Sequence, residues 1–324
     1  MKDRFGREVR YLRISVTDRC NLRCAYCAPA HRAPLAGRLD ILTLEEIARV
    51  AAVAAGLGIA KLRVTGGEPL LRRGVVDLIS RLVKIPGIEE VSLSTNGVLL
   101  ERYARALREA GVRRINVSLD TLRPDRFARI TGTGEEAFGA VLAGIEAALA
   151  AGIPSLRLNA VLMRGVNDDE IEPLARLSLG RPIAVRFIEL MPLDDWCRPA
   201  SRCSLVPSSE VLERLRTIAD LVPEPSGPLD GPARTFRFRG APGTVGLIAP
   251  VTEPFCSSCN RLRLTAEGKL KPCLLAPDLL DVRALLRAPD VTDAGLAGAI
   301  CEAIARKSLA HGHSRKESFQ GIGG

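Results

Sequence analysis

The sequence predicts an α/β fold made of six strand–helix units, followed by a smaller α+β extension. Three observations support this prediction: six β-rich runs end in polar residues or glycine, amphipathic runs lie between them, and the composition changes near residue 220. Alternating strands and helices are typical of a parallel sheet with helices outside it. A closed eight-unit barrel needs about 250 residues, but six strands are complete by residue 190. We therefore predict a partial, open, TIM-like (β/α)6 barrel.

The predicted strands are rich in apolar and β-branched residues. They cover residues 9–18, 60–67, 89–97, 113–120, 156–163 and 183–190. The predicted helices place apolar residues at i, i+3, i+4 and i+7, and they cover residues 42–58, 75–85, 99–111 and 137–152. Functional groups of such barrels lie at the carboxyl ends of the strands and in the loops that follow. We expect the functional groups of this chain at that end.

The composition changes after about residue 220. Residues 221–235 read LVPEPSGPLDGPART and are rich in proline and glycine. Two short strand candidates follow at 235–240 and 243–248, and a helix is predicted at 292–307. This change predicts a domain boundary, with the partial barrel in residues 1–220 and a C-terminal domain in residues 221–324.

Composition and charge favour a soluble cytoplasmic protein with a small anionic ligand. Hydrophobic residues make up 47% of the 324 residues, and no apolar run approaches the roughly 20 residues of a membrane span. The first residues, MKDRFGREVR, do not resemble a secretory signal. The net charge is +9, but the basic residues are scattered and aromatic residues are only 4% of the chain, which disfavours nucleic acid as a partner. No membrane partner is expected.

Three cysteines, Cys20, Cys24 and Cys27, lie close together in the run CNLRCAYC. In a reducing compartment, clustered cysteines indicate metal ligation or reactive thiols. Thiolates at this spacing can converge on one iron–sulfur cluster, and three of them leave one iron open to bind a small molecule. A zinc ion that takes a distant fourth ligand is the alternative. We call these residues the N-terminal triad.

A second group of three, Cys256, Cys259 and Cys273, forms what we call the C-terminal triad. A CxxC pair followed by one more cysteine also matches three quarters of a zinc ribbon. Cys197 or Cys203 could supply a fourth thiolate. From spacing alone, zinc and an iron–sulfur cluster both stay open for this triad.

The N-terminal triad, with Tyr26 between its last two cysteines, resembles the CxxxCxxC motif of radical S-adenosylmethionine (SAM) enzymes. The run TGGEP at residues 65–69 is similar to a strand-end motif of that family. The resemblance implies a partial barrel of the radical SAM type and a [4Fe–4S] cluster whose open iron chelates the amino and carboxylate groups of SAM. It also implies reductive cleavage of SAM to a 5′-deoxyadenosyl radical.

Three further features narrow the resemblance: the C-terminal triad, the run NRLRL behind it, and the terminal Gly323-Gly324. With the N-terminal triad, they resemble the GTP 3′,8-cyclase family of molybdenum cofactor biosynthesis. The resemblance implies a second [4Fe–4S] cluster in the C-terminal domain, whose open iron binds the guanine of GTP. The implied reaction converts GTP to (8S)-3′,8-cyclo-7,8-dihydroguanosine 5′-triphosphate, because the radical takes hydrogen from the ribose C3′, which then joins C8 of guanine.

The same resemblance assigns site residues. The residues expected to bind GTP are Arg13, Arg63, Ser94, Arg157, Arg261 and Arg263. The residues expected to bind SAM are Tyr26, Gly67, Ser118 and Met191. Guanidinium groups bind phosphate oxygens bidentately with a permanent charge, which suits a triphosphate. We expect catalytic roles for Arg13, Arg261 and Arg263, since a clamp on the triphosphate and sugar would orient the reacting ribose.

The resemblance also implies protein partners. These are a low-potential electron donor such as flavodoxin or ferredoxin, the cyclic pyranopterin monophosphate synthase that would act next, and a second copy of this chain in a homodimer. Two other functions stay open at this point. One is a two-cluster radical SAM enzyme that modifies a peptide, and the other is a non-enzymatic metal-cluster protein that binds RNA through its basic surface.

Overall fold

The computed structural model describes most of the chain: residues 1–27, 35–37, 39–191, 205–227, 229–276 and 280–310. Both cysteine triads lie within these ranges. The candidate fourth ligands Cys197 and Cys203 lie outside the described residues, as does the terminal Gly323-Gly324. None of the described helices has the length and apolar composition needed to cross a membrane.

Six parallel strands form the centre of the sheet, as the sequence predicts. They pair in chain order and have the bounds β1 Tyr11–Ser15, β2 Lys61–Thr65, β3 Glu90–Thr95, β4 Arg114–Ser118, β5 Ser155–Leu162 and β6 Ile183–Glu189. The helices between them are α1 Leu44–Gly56, α2 Val75–Val83, α3 Leu100–Glu109, α4 Pro124–Thr131, α5 Glu136–Ala150 and α6 Ile171–Gly180. The alternation confirms the predicted partial (β/α)6 barrel.

Local signals explain where two of these helices begin and end. Thr43 caps α1, because its hydroxyl accepts a hydrogen bond from the Glu46 amide while the Glu46 carboxylate accepts one from the Thr43 amide. Helix α4 begins with Pro124 and ends before Gly132, whose φ of 65° lies in the left-handed region. Neither α4, which is only 8 residues long, nor α6 was among the predicted helices.

The C-terminal part of the chain continues the same sheet on both of its edges. Its elements are α7 Ser208–Arg216, β7 Leu221–Glu224, β8 Arg234–Phe238, β9 Thr244–Ile248, β10 Arg261–Leu264, β11 Lys269–Lys271, β12 Leu280–Asp281, α8 Val282–Leu286 and α9 Asp293–Ala305. Strand β9 pairs in parallel with β6, and β10 pairs in parallel with β1. Over the described residues, the strand order is therefore β12-β11-β10-β1-β2-β3-β4-β5-β6-β9-β8-β7.

The predicted domain boundary near residue 220 stays a prediction. The sheet runs through this point, since β7 and β8 pair with each other and β8 pairs with β9. The short strands β7, β11 and β12 were not predicted, because runs of two to four residues carry little pattern. The helix predicted at 292–307 is confirmed as α9.

The barrel strands have one apolar and one polar side. Outward-facing residues such as Leu12, Ile14 and Leu62 have no solvent exposure and belong to the hydrophobic core. The alternate positions, which face the concave side, carry many charged groups: Arg13, Lys61, Arg63, Glu90, Arg114, Arg157, Arg186, Arg261 and Arg263. Closed barrels fill this interior with branched apolar side chains. The polar lumen of this chain is suited to a polar, anionic ligand instead.

Candidate active site

A cavity of about 330 Å³ lies on the concave side of the sheet. It is lined by residues from β1 to β6, from β9 and β10, and from the loops that carry both cysteine triads. All six triad cysteines face it. The fold therefore brings together two motifs that are more than 200 residues apart in the sequence.

The N-terminal triad lies at the carboxyl end of β1, as expected. Its loop is fixed to the end of α4 by two backbone hydrogen bonds, from Arg23 N to Thr131 O at 2.7 Å and from Ala25 N to Ile130 O at 2.9 Å. Burial raises the pKa of Cys24 well above its usual value, and the nearby Asp120 raises it further. In the metal-free form, Cys24 therefore favours the neutral thiol.

Backbone hydrogen bonds from the run TGGEP connect the end of β2 to the loop that leads into the N-terminal triad. Gly67 N donates to Thr17 O at 2.7 Å and Glu68 N donates to Arg19 O at 2.7 Å. A Cβ atom on Gly67 would lie 2.2 Å from Arg19 O, so any other residue would push the two segments apart. This close approach explains the glycine at position 67.

Glu68 ties the same turn to the end of β3. Its carboxylate accepts hydrogen bonds from the Leu70 amide at 3.0 Å, the Thr95 hydroxyl at 2.8 Å and the Asn96 amide at 2.7 Å. The side chain is fully buried, and burial raises the pKa of Glu68 to about 7 despite these bonds. Asn96 Nδ2 in turn lies 3.7 Å from Cys20 Sγ, which links the network to the triad.

Tyr26 is held by an acidic residue in the loop that follows β4. Its hydroxyl donates to Asp120 Oδ2 at 2.8 Å, and Asp120 Oδ1 accepts from the Val161 amide at 2.8 Å. Burial raises the pKa of Asp120 to about 6. Ser118 and Met191 line the cavity on the same side. The four residues expected to bind SAM, including Gly67, therefore surround one end of the cavity.

The C-terminal triad lies at the opposite end of the lumen. Cys256 and Cys259 belong to a short 3-10 turn that precedes β10, and β10 runs parallel to β1 with Arg261 opposite Tyr11. The antiparallel β11 brings Cys273 back to this end. The five residues of β1 span about 13 Å at roughly 3.3 Å per residue, which separates the two triads along the lumen.

This position corrects one expectation. The sequence analysis placed all functional groups at the carboxyl ends of the strands, but the C-terminal triad lies at the amino end of β10. The reason is its order in the chain, since Cys256 and Cys259 come before the strand and the β10–β11 hairpin returns Cys273 to the same end. A ligand in the lumen would therefore lie between the two triads.

Cations surround the C-terminal triad. Although burial alone would raise it, the Arg261 guanidinium and the Lys307 ammonium lower the pKa of Cys259 to about 7. Cys259 and Cys273 both lie near Arg263. Such surroundings stabilise thiolates, which are the form that binds iron.

The two triads fit iron–sulfur clusters better than single ions. Within the described ranges, no three His, Cys, Asp or Glu side chains converge closely enough to hold one metal ion. A four-iron cluster is ligated at separate irons, so its thiolates need not converge on one point. Three thiols that face one cavity at each end, with no fourth ligand from the described residues, suit a cluster with one open iron.

Three arginines form one layer across the middle of the lumen. The strand register pairs Arg13 with Arg63 on one side and with Arg263 on the other. Burial lowers the pKa of Arg13 well below its usual value, and the Arg263 charge lowers it further. Burial and the Arg261 charge also lower the pKa of Arg263 to about 10. Neighbouring buried cations repel each other, and a bound polyanion would relieve this repulsion.

Arg157 occupies a different place from the other expected GTP ligands. It is buried and is not one of the residues that line the cavity, and its Nη2 lies 3.2 Å from Asp230 Oδ1. Asp230 also lies 3.4 Å from Arg114 Nη2. Asp230 thus neutralises part of the positive charge of Arg114 and Arg157. The remaining expected residues, Arg13, Arg63, Ser94, Arg261 and Arg263, all line the cavity.

The sequence analysis missed Arg186. This side chain lines the cavity, is 6% exposed, and has its pKa lowered well below the usual value by burial and by the nearby Arg157 and Arg63. The signal was present, because Arg186 is an arginine between Val185 and Phe187 within the apolar run 183–188. An arginine on the inner side of a buried strand predicts an anionic ligand.

Comparison with known proteins identifies the family. Residues 14–178 match the model of the Radical SAM superfamily, and residues 183–313 match the model described as Molybdenum Cofactor Synthesis C. GTP 3′,8-cyclase of Moorella thermoacetica is 48% identical over 100% of both chains. The chain belongs to the GTP 3′,8-cyclase family. Another relative in this family, from Geobacter sulfurreducens, is 47% identical over 89% of this chain and 87% of its own length.

Solved structures agree with this GTP 3′,8-cyclase family fold. Streptococcus suis SuiB bound to its precursor peptide SuiA superposes with a TM-score of 0.63 at 13% identity, covering 98% of this chain and 75% of SuiB. At that identity the likeness shows the fold alone. As a GTP 3′,8-cyclase family member with a radical SAM barrel, the chain uses SAM and an iron–sulfur cluster as cofactors.

Proposed function

We propose that this chain converts GTP to 3′,8-cyclo-7,8-dihydro-GTP by radical SAM chemistry, as a step of molybdenum cofactor biosynthesis. One observation carries the proposal: a three-cysteine triad lies at each end of a single lumen, with a layer of buried arginines between them. A nucleoside triphosphate has the length and charge for that space, because its base can reach the C-terminal triad while its phosphates meet the arginine layer.

Two [4Fe–4S] clusters are part of the proposal. Cys20, Cys24 and Cys27 would hold the first, and Cys256, Cys259 and Cys273 the second. The fit of each triad to three separate irons supports both sites, and the cationic surroundings of the second favour an anionic cluster and an anionic substrate.

The GTP contacts follow from the lumen. Arg13, Arg63 and Arg263 form the layer that would bind phosphate oxygens. Arg261 lies two residues before Arg263 on β10, nearer the C-terminal triad. Ser94 adds a hydroxyl on the cavity wall. We assign catalytic roles to Arg13, Arg261 and Arg263, since they touch the substrate and set the position of its ribose.

Arg157 and Arg186 have separate roles in this proposal. Arg186 faces the cavity directly and joins the phosphate-binding group. Arg157 contributes positive charge next to the cavity; its Nη2 contacts Asp230, and its Nε and Nη1 are buried donors that a phosphate oxygen would satisfy. Both residues lie on the β5–β6 side of the lumen, opposite Arg263.

SAM would bind at the other end. Gly67 offers backbone groups at the cavity wall for its methionine part, Ser118 offers a hydroxyl, and Met191 supplies an apolar contact. Tyr26 closes this end with its ring while its hydroxyl stays bonded to Asp120. With these contacts, SAM would lie between the N-terminal triad and the bound GTP.

The protein has three tasks in the reaction. When bound, the N-terminal cluster and SAM supply the deoxyadenosyl radical that takes hydrogen from C3′ of the ribose. The arginine layer holds the triphosphate so that C3′ faces the SAM end, and even a displacement of about 1 Å would reduce the rate strongly. The buried walls keep water away from the radical.

The cellular setting belongs to the same proposal. A low-potential donor such as flavodoxin or ferredoxin would supply the electron, and cyclic pyranopterin monophosphate synthase would use the product. A cytoplasmic location and a homodimer stay predictions. The reaction's need for a strong reductant and an anaerobic cluster supports a reducing compartment.

The experiment is anaerobic reconstitution followed by a product assay. Wild-type protein should contain about eight iron atoms per chain, four for each cluster. With GTP, SAM and dithionite, mass spectrometry should show a cyclised product of the same mass as GTP and one 5′-deoxyadenosine per product. SAM cleavage with unchanged GTP, or equal product formation from ATP, would contradict the proposal.

A further inference from the structure

Lys307 is a buried cation directly behind the C-terminal triad. It follows α9 and its side chain is 2% exposed. Its ammonium donates to Arg261 O at 2.7 Å and to Pro272 O at 2.7 Å, and it lies 3.9 Å from Cys259 Sγ. One side chain thus joins the segment that follows Cys259 to the residue that precedes Cys273.

Arg7 reaches the third cysteine from the other end of the chain. Its guanidinium donates to Cys256 O at 2.7 Å and to Ser308 O at 2.9 Å, while Nε donates to Asp3 Oδ2 at 2.6 Å. Because Ser308 follows Lys307, the two cations are also tied to each other. Together they contact the segments of all three triad cysteines.

The charge of Lys307 has no carboxylate partner within the part of the chain that the structure describes. Arg7 is paired with Asp3 at its own side, but the acceptors of Lys307 there are two carbonyl oxygens and a sulfur. Burying an ammonium group is costly unless a negative charge lies close to it. Among the residues that the structure describes, Cys259 Sγ, 3.9 Å away, is the group next to Lys307 that becomes negative as a thiolate and as a ligand of a cluster.

We infer that Lys307 is a positioning residue of the C-terminal site, which holds the three ligands in register with help from Arg7 and stabilises the more reduced, more negative form of the cluster bound there. The inference rests on the proposed second cluster. Residues that orient metal ligands from behind typically change metal affinity ten- to hundredfold when they are replaced.

The test isolates the C-terminal cluster. In a chain with Cys20→Ala, Cys24→Ala and Cys27→Ala, any reconstituted iron belongs to the C-terminal triad. Lys307→Met removes the charge and keeps the apolar stem, whereas Lys307→Arg keeps the charge. Arg306→Met is the matched control, because Arg306 is the preceding residue, lies on the surface and pairs with Glu302. Iron and sulfide content and the midpoint potential, followed by electron paramagnetic resonance, are measured for each.

We expect Lys307→Met to lower the iron content and to make reduction about tenfold less favourable, which is about 59 mV for one electron. Lys307→Arg should recover most of the potential, and Arg306→Met should match the parent. A potential that is the same in Lys307→Met as in the parent would overturn the inference, whatever the iron content.

Two outcomes separate this inference from the proposed function. If the parent chain with Lys307 intact takes up no cluster, the second cluster of the proposed function is wrong. If the parent takes up the cluster and Lys307→Met is indistinguishable from it, only the role of Lys307 is wrong. Should Lys307→Met not accumulate as folded protein, Lys307→Gln, which keeps a donor without the charge, provides the same comparison of potentials.

Discussion

The two cysteine triads have the same number of thiols but opposite surroundings. At the carboxyl end of β1, Cys24 is buried beside Asp120, and both burial and that carboxylate raise the pKa of Cys24. At the amino end of β10, the charges of Arg261 and Lys307 lower the pKa of Cys259 to about 7. The spacing of cysteines therefore does not set the electrostatics of a site, whereas the charged residues that the fold packs around it do.

This difference matches the ligands that each end would take. SAM carries a positive sulfonium together with its amino acid part, and the N-terminal end offers an acid, a tyrosine and backbone groups. GTP is a polyanion, and the C-terminal end opens onto the arginine layer. Variants that affect one end and leave the other unchanged test the comparison directly.

The largest expected effect comes from removing one triad at a time. Cys20→Ala with Cys24→Ala and Cys27→Ala should abolish SAM cleavage, because no cluster remains to reduce SAM. Cys256→Ala with Cys259→Ala and Cys273→Ala should abolish cyclisation while dithionite-driven SAM cleavage continues. Liquid chromatography of 5′-deoxyadenosine and of the cyclised product measures both. Loss of SAM cleavage in the second variant would show that the two ends are not independent.

Single arginine replacements should have the next largest effect. Arg13→Ala, Arg261→Ala or Arg263→Ala removes a charge-assisted contact of about 1.5 to 3 kcal/mol, so GTP affinity should fall roughly ten- to hundredfold. Product formation should fall further, since the ribose is no longer held in position. Isothermal titration calorimetry and turnover assays measure the two effects.

An exposed arginine is the control for this series. Arg105 lies on the outside of α3 with 90% of its side chain exposed, and Arg105→Ala should leave GTP affinity unchanged. Wild-type product yield from all three lumen variants would reject the arginine layer as the substrate site.

Two serines should give smaller and separable effects. Ser94→Ala would remove a neutral hydrogen bond to GTP, and Ser118→Ala would remove one to SAM. A neutral hydrogen bond contributes about 0.5 to 1.5 kcal/mol, or roughly two- to tenfold in affinity. Binding titrations with each ligand should show that each variant affects only its own ligand. A loss of SAM affinity in Ser94→Ala would contradict the assignment of the two ends.

The last expected effect is on stability alone and concerns the N-terminal end. Burial raises the pKa of Glu68 to about 7, above the roughly 4.3 of an unfolded chain. The folded protein therefore binds the proton more tightly, and this group favours folding at low pH and loses that contribution as the pH rises towards 7.

Glu68→Gln is the test of this linkage. Chemical denaturation of the metal-free proteins gives the unfolding free energy at each pH. Between about pH 4.5 and 7, the slope of this free energy against pH should differ between wild type and Glu68→Gln by at most about 1.4 kcal/mol per pH unit. The unfolding free energy of wild type should fall more steeply with pH than that of the variant. Identical slopes would mean that Glu68 titrates near its ordinary pKa in the folded chain.

Much of the fold could be predicted from sequence, because β1 to β6 are long enough to show apolar patterns and α1, α2, α3 and α5 show helical periodicity. The triads could be predicted because their ligands are close together in sequence. The placement of β9 and β10 on opposite edges of the sheet could not, since no local pattern records which distant strand a segment will pair with.

The site residues divide along the same line. Arg261 and Arg263 were assigned through the family resemblance, since they lie in the run NRLRL directly after the CxxC pair of the C-terminal triad. Arg7 and Lys307 were missed because their partners lie far away along the chain, and each has the appearance of an ordinary surface charge until the fold buries it. Asp230 was missed for the same reason, since its contact with Arg157 spans 73 positions.

The pairing of β10 with β1 also has a consequence for synthesis on the ribosome. β1 is made about 250 positions before its partner β10, so one edge of the nascent sheet stays unpaired while all the strands between them are synthesised. Exposed strand edges invite association with other chains. A nascent chain would thus need protection longest at the open edge of β1.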